Sequence, residues 1–114
     1  MATHESAKDQ EQSKNSSPAD LTLEAHRFSN EAFSVAKDFV AGGDAVTGAK
    51  ERAKDYQTRL PALSARLAEL PPAARADINR VLSDARLDLS YVLSDGKLPS
   101  STRLHFHLAE MGRR

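Results

Sequence analysis

Apolar side chains recur along most of this chain at alternating intervals of three and four residues, the period of helices that meet along a seam. The first such set is Leu21, Ala25, Phe28, Ala32, Val35 and Phe39, with Glu24, Arg27, Glu31, Ser34 and Asp38 on the other side. A start signal precedes it. Ser17 is placed as an N-cap, Pro18 stands at the first helical position, and Asp20 suits the positive end of the helix dipole. Gly42-Gly43 marks the stop, because a residue in the left-handed conformation can satisfy the last carbonyls.

Asp44 is then expected to cap a second helix, whose seam is Val46, Ala49, Ala53, Tyr56, Leu60, Leu63, Leu67 and Leu70. This is the longest seam, so the second helix is expected to be central. Pro61 lies inside it, where it removes a backbone hydrogen bond and crowds the carbonyl of Gln57. The phase runs through the proline unbroken, and Leu60 would make a poor cap for a fresh helix, so one kinked helix is predicted rather than two. Leu70-Pro71-Pro72 ends it, since a residue before proline is driven out of the helical region.

A third helix is predicted from about residue 72 to 94, with Ile78, Leu82, Ala85, Leu89 and Val92 as its seam and Asp95-Gly96 as its close. Asp77, Arg80, Asp84 and Asp88 alternate in sign beside that seam and read as a solvated face. The connections are a few residues long, which forces neighbouring helices to run antiparallel. After Leu98-Pro99 the pattern is ambiguous. Leu104, Leu108 and Met111 fit a short helix that stops at Gly112, whereas Leu104, Phe106 and Leu108 alternate as in a strand. In an otherwise helical chain the helix is expected.

Composition narrows the picture. The chain has 114 residues, 18 of them Ala and only 5 Gly, which suits helices and a single domain. Residues 2–20 hold no large apolar side chain that could offset the entropy of ordering them. The expected fold is therefore all-α. It is an antiparallel three-helix bundle with coiled-coil-like heptads over residues 17–96, a disordered arm over 1–16 and a C-terminal segment over 97–114. Lys and Arg number 16, as do Asp and Glu, and this balance disfavours a nucleic-acid or anionic-membrane binder. With no cysteine, thiolate zinc sites, disulfides and cysteine nucleophiles are excluded. No apolar run reaches the roughly 18 residues of a membrane span, and the start has no signal-peptide core, so a cytoplasmic location is expected.

Chemistry-bearing motifs are sparse. His105-x-His107 with Glu110 has some metal-ligand character, but on a helix the two imidazoles diverge by about 200°. No nucleophile elbow or phosphate-binding glycine loop is present. The chain is expected to be non-catalytic, with no cofactor and no metal site. Lys50, Arg52, Lys54, Arg59 and Arg66 make the second helix the most basic element, which leaves a nucleic-acid-associated regulator as an alternative.

Tyr91-Val92-Leu93-Ser94-Asp95 resembles the Tyr-x-x-x-Asp/Glu signal that follows the helical hairpin of small type VII secretion substrates. The resemblance implies a secreted helical hairpin as a further alternative. The chain departs from it in two places: the turn Ala41-Gly42-Gly43-Asp44 has no tryptophan, and Pro71-Pro72 introduces a third helix.

The reading that these observations favour is a protein–protein interaction module, such as an adaptor, regulator, chaperone or accessory subunit. Its partner is another protein or a second copy of the chain. Phe33, Ala36 and Val40 form a strip beside the first seam, which either receives the third helix or stays open for a partner's helix. The C-terminal segment combines Leu104, Phe106, Leu108 and Met111 with Arg113 and Arg114, apolar anchors beside arginines as at interface hot spots. It is expected either to engage the partner together with the strip or to fold back and cap the bundle.

Overall fold

The computed structural model describes residues 18–112; the expected arm over 1–16, the Ser17 cap and the terminal Arg113 and Arg114 lie outside the described residues. Four helices follow in order: α1 (Pro18–Ala41), α2 (Ala45–Arg66), α3 (Pro72–Leu93) and α4 (Thr102–Gly112). A 3-10 turn over Leu67–Glu69 finishes the path of α2. Helices α1, α2 and α3 pack on one another as a three-helix bundle, and the short α4 lies against α1 and α3. There is no strand among the described residues, and Leu104, Phe106 and Leu108 belong to a helix.

The heptad seams form the core. Leu21, Ala25, Phe28, Ala32 and Val35 of α1 are buried, as are Ala49, Ala53, Leu60 and Leu63 of α2. Leu67 and Leu70 continue the second seam through the 3-10 turn, and all five predicted seam residues of α3 are buried. Phe39, Tyr56 and Leu108 pack against this cluster from its margins. Edge-to-face ring pairs, Phe28 with Tyr56 and Phe39 with Tyr91, stitch α1 to its two neighbours.

The turns follow from local chemistry, with one correction. Gly42 and Gly43 have φ of +80° and +66°, conformations that side chains resist, and the Gly42 N–H donates to Phe39 O at 3.2 Å. Asp44 occupies the N-cap position of α2, but its φ of −67° and ψ of −19° are helical and its side chain makes no capping bond. Gly43 has already turned the chain, so α2 begins from the Gly43 carbonyl, which accepts from Val46 N–H at 3.3 Å. Pro61 lies within a single helix, and both Pro61 and Gln57 are exposed, which leaves the unpaired Gln57 carbonyl on the wet side. Pro71 is extended at ψ 154° and places Pro72 at the first turn of α3.

The expectation that the second helix is central is overturned, because the most extensive contacts belong to α1, first with α3 and then with α2. The reason is the width of the buried arc. Beside its seam α1 also buries Ser29 and Ala36, whereas α2 buries one narrow stripe. Ala25, Ala32 and Ala36 are fully enclosed, and such short side chains let neighbouring backbones approach from more than one direction.

Burial separates the leucines into two classes with different expected costs. Leu63→Ala and Leu67→Ala should each lower unfolding free energy by about 2–5 kcal/mol in urea titrations. Leu23 is 57% exposed, so Leu23→Ala should change it by less than about 0.5 kcal/mol. Equal effects at Leu63 and Leu23 would contradict this register.

Candidate interaction surface

The C-terminal helix is held by a small buried polar cluster. Asp88 on α3 is 0% exposed, so it does not belong to the solvated face that sign alternation suggests. It borders the α3 seam, between Ala85 and Leu89, and the surface above it is closed by the segment that leads into α4. Ser101 Oγ, also fully buried, donates to Asp88 Oδ1 at 2.5 Å. Arg103 donates to Asp88 Oδ2 from Nε at 3.0 Å, and its Nη2 forms an ion pair with the same oxygen at 2.8 Å. The same Nη2 donates to the backbone carbonyl of Ser29 on α1 at 2.9 Å. One guanidinium thus ties three helices together.

Local sequence explains why these groups are on station. Ser101 caps α4, its Oγ accepting from Leu104 N–H at 3.3 Å and its carbonyl accepting from His105 N–H at 2.9 Å. Upstream, Ser94 Oγ accepts from the Lys97 and Leu98 amides at 3.1 and 2.9 Å and sets the direction of the linker. Burial pushes the Asp88 carboxyl above its usual value, and this outweighs the opposing influence of the Ser101 bond and the Arg103 charge.

The two halves of the expected partner site meet each other. The Phe33 ring has the Arg103 guanidinium 4.7 Å and Lys37 Nζ 4.8 Å from its centroid, with the His107 ring edge-on at 6.2 Å. Phe33 therefore receives α4 rather than the third helix. Leu104 is fully buried and Leu108 half-buried beneath the same helix, while Ala36 is enclosed and Val40 half-buried farther along α1. The outer side of α4 is different. Phe106 there is 64% exposed, whereas Met111, seven residues after Leu104 and so on the inner side, is 37% exposed because the helix ends beside it. Arg113 and Arg114 follow beyond the described residues.

Beside α4 lies a cavity of about 450 Å³ whose walls include Tyr91, Leu98, Pro99, Thr102, His105 and Leu108. A larger hollow of about 600 Å³ separates α1 from α2 over Phe28 and Leu63. On its rim Arg66 binds both carboxylate oxygens of Glu24, and beside it Tyr56 bonds to Glu31. That bond and burial together hold the Tyr56 phenol above its usual range, with burial the larger cause.

Elsewhere the sequence-level candidates are absorbed into the fold. Four basic residues of α2 are ion-paired: Lys50 to Asp95, Arg52 to Asp38, Arg59 to Asp55 and Arg66 to Glu24. Tyr91 and Asp95 both serve the end of α3. A Cβ added at Gly96 would meet Tyr91 Oη at 3.3 Å, and Asp95 holds a φ of 57° while paired to Lys50, which keeps its carboxyl below the usual range. His105 and His107 project from different sides of α4, against Phe106 and Phe33, and the described residues include no group of three or more acids and histidines placed to hold a metal. No helix among them is long and apolar enough to cross a membrane. Comparisons of the chain with protein-family models, curated proteins and solved structures found no match in any of the three.

Asp88 is the residue that periodicity misses. A weak signal exists, since Ser101 and Arg103 are a hydroxyl and a guanidinium two positions apart after a proline break. Pairing them with one particular aspartate requires the tertiary fold.

Two outcomes follow from the cluster. Arg103→Ala strands a buried carboxylate and should cost about 3 kcal/mol in denaturant titration, well above the cost of Asp88→Asn, which leaves only a partly exposed arginine without its ion pair. The pH dependence has a definite sign. The folded chain holds the Asp88 proton more tightly than an unfolded one with a pKa near 3.8, so this group's contribution is greatest below that value and declines as pH rises through the folded pKa. From about pH 4 to about pH 7 the wild-type chain should therefore lose stability relative to Asp88→Asn.

Proposed function

We propose that this chain is a non-catalytic helical interaction module, an adaptor or accessory subunit, that engages another protein through the outer face of α4. The observation that carries this reading is the division of labour within one short helix. Arg103, Leu104, His107 and Leu108 fasten it to the bundle, while Phe106, the most exposed of the large apolar side chains described, points away. An aromatic ring held on a rigid, pre-ordered element is the kind of side chain that anchors protein interfaces, because little conformational entropy is lost when it is covered. The ion pairing of α2 favours a protein partner over a nucleic acid, since four of its cations are already committed within the fold.

In this reading the residues of the proposed site differ in role. Phe33, Leu104 and Leu108 support the surface from beneath α4, and Phe106, with Arg113 and Arg114 farther along the chain, meets the partner; Met111, on the Leu104 side, and Val40, farther along α1, flank it.

Site-specific photocrosslinking in the cells that make the protein tests the proposal. A benzophenone amino acid replacing Phe106 should give discrete protein adducts, whereas the same probe replacing Arg80, on an exposed face of α3, should give none. Absence of adducts at position 106, or equal labelling at both positions, would overturn the reading.

A further inference from the structure

We infer that α4 is an exchangeable element: two copies of the chain trade their C-terminal helices, each α4 docking into the groove between α1 and α3 of the other copy. The exchange concerns the inner side of α4 and is independent of the reading given to its outer side.

What the groove demands fixes its occupant. An empty groove would leave Asp88 without its hydroxyl and guanidinium and would uncover the place that Leu104 fills. A replacement must offer a hydroxyl, a guanidinium two residues later and a leucine next to that, in the first turn of a helix, as Ser101, Arg103 and Leu104 do. A second copy of the chain carries that set at that spacing. Every contact its α4 makes is one already present in the closed chain.

The fold can also release α4 at lower cost than any other helix. Leu104 is the one buried apolar residue that α4 contributes, and the rest of the buried cluster lies before the linker and stays packed without it. No residue of that linker, 95–100, is buried. Its six residues can extend over about 20 Å, about two helix diameters. The closed linker carries a backbone cost, because Asp95 is the one non-glycine residue described with a positive φ, 57°. Opening the linker removes that cost. Tethering works the other way, since a short linker holds α4 beside its own groove at a millimolar effective concentration. The closed chain therefore prevails in dilute solution, and the exchanged dimer has a dissociation constant on the order of 1 mM.

Gly96 offers a selective test. Its φ is 81° and a Cβ there would meet Tyr91 Oη at 3.3 Å, so Gly96→Val penalises the closed linker and leaves both the groove and α4 unaltered. Two linkers open in each dimer, so the dissociation constant should fall on the order of 100-fold, to about 10 µM. Sedimentation of the full-length Gly96→Val chain should show the mean mass rising from 12.4 kDa towards twice that value around this concentration, with the wild-type chain following only near about 1 mM. Adding Leu104→Asp, which leaves no helix able to dock, should restore the monomer. The sequence has no cysteine, so introduced thiols report alone. The rings of Phe33 and His107 meet across α1 and α4 at 6.2 Å. In a concentrated mixture of Gly96→Val chains carrying either Phe33→Cys or His107→Cys, oxidised glutathione should trap the mixed disulfide in excess of its statistical share. A Gly96→Val chain that stays monomeric at about 1 mM, a dimer that survives Leu104→Asp, or a mixed disulfide at no more than its statistical share overturns the exchange.

Discussion

Asp88 imposes a requirement that the rest of the C-terminal half answers. A carboxylate with no solvent exposure loses its hydration, and leaving it without partners would cost several kcal/mol. Within the three-helix bundle no side chain supplies those partners. Ser101 and Arg103 do, and both come from the stretch after α3 ends. The C-terminal helix is therefore fastened to the bundle through this cluster. Burial still wins over pairing, as the upward shift of the Asp88 pKa records. A cluster of this kind contributes less to net stability than to fixing how α4 docks, because only one placement satisfies both carboxylate oxygens and the Ser29 carbonyl.

The same cluster depends on the composition of α1. Its enclosed alanines let α2 and α3 pack close, and its extra buried positions, Ser29 and Ala36, provide a second flank. Arg103 reaches the Ser29 carbonyl on this flank. Phe33, one turn farther along α1, then gives the guanidinium an aromatic face to lie on. A narrow seam like that of α2 could not have hosted a fourth helix.

Docking α4 through one side fixes what its other side can do. A helix of 11 residues has little intrinsic stability in water, so an exposed aromatic on it would be a poor anchor if the helix frayed. The Ser101 cap and the Asp88–Arg103 pair remove that freedom and hold Phe106 on a fixed face. The proposed interaction draws on this rigidity. Its energetic source lies on the hidden side of the helix.

Periodicity in the sequence determined the helices, their order and nearly the whole core. Apart from Val46, which sits in the first turn of α2 and is outside the core cluster, the residues of the three seams are buried or packed against the core at its margins, because alternating spacings of three and four select one helical face. Glycine and proline placed the turns for equally local reasons. Periodicity did not determine which helix is the hub, since that depends on the width of each buried arc, and it mistook Asp88 for a solvated residue. Charge patterns along one helix carry no information about what a segment more than ten residues away will cover. Only the tertiary structure decided that Phe33 meets Arg103 and His107, that Asp88 is enclosed, and that Phe106 is left outside, because each results from how α4 packs across two helices at once.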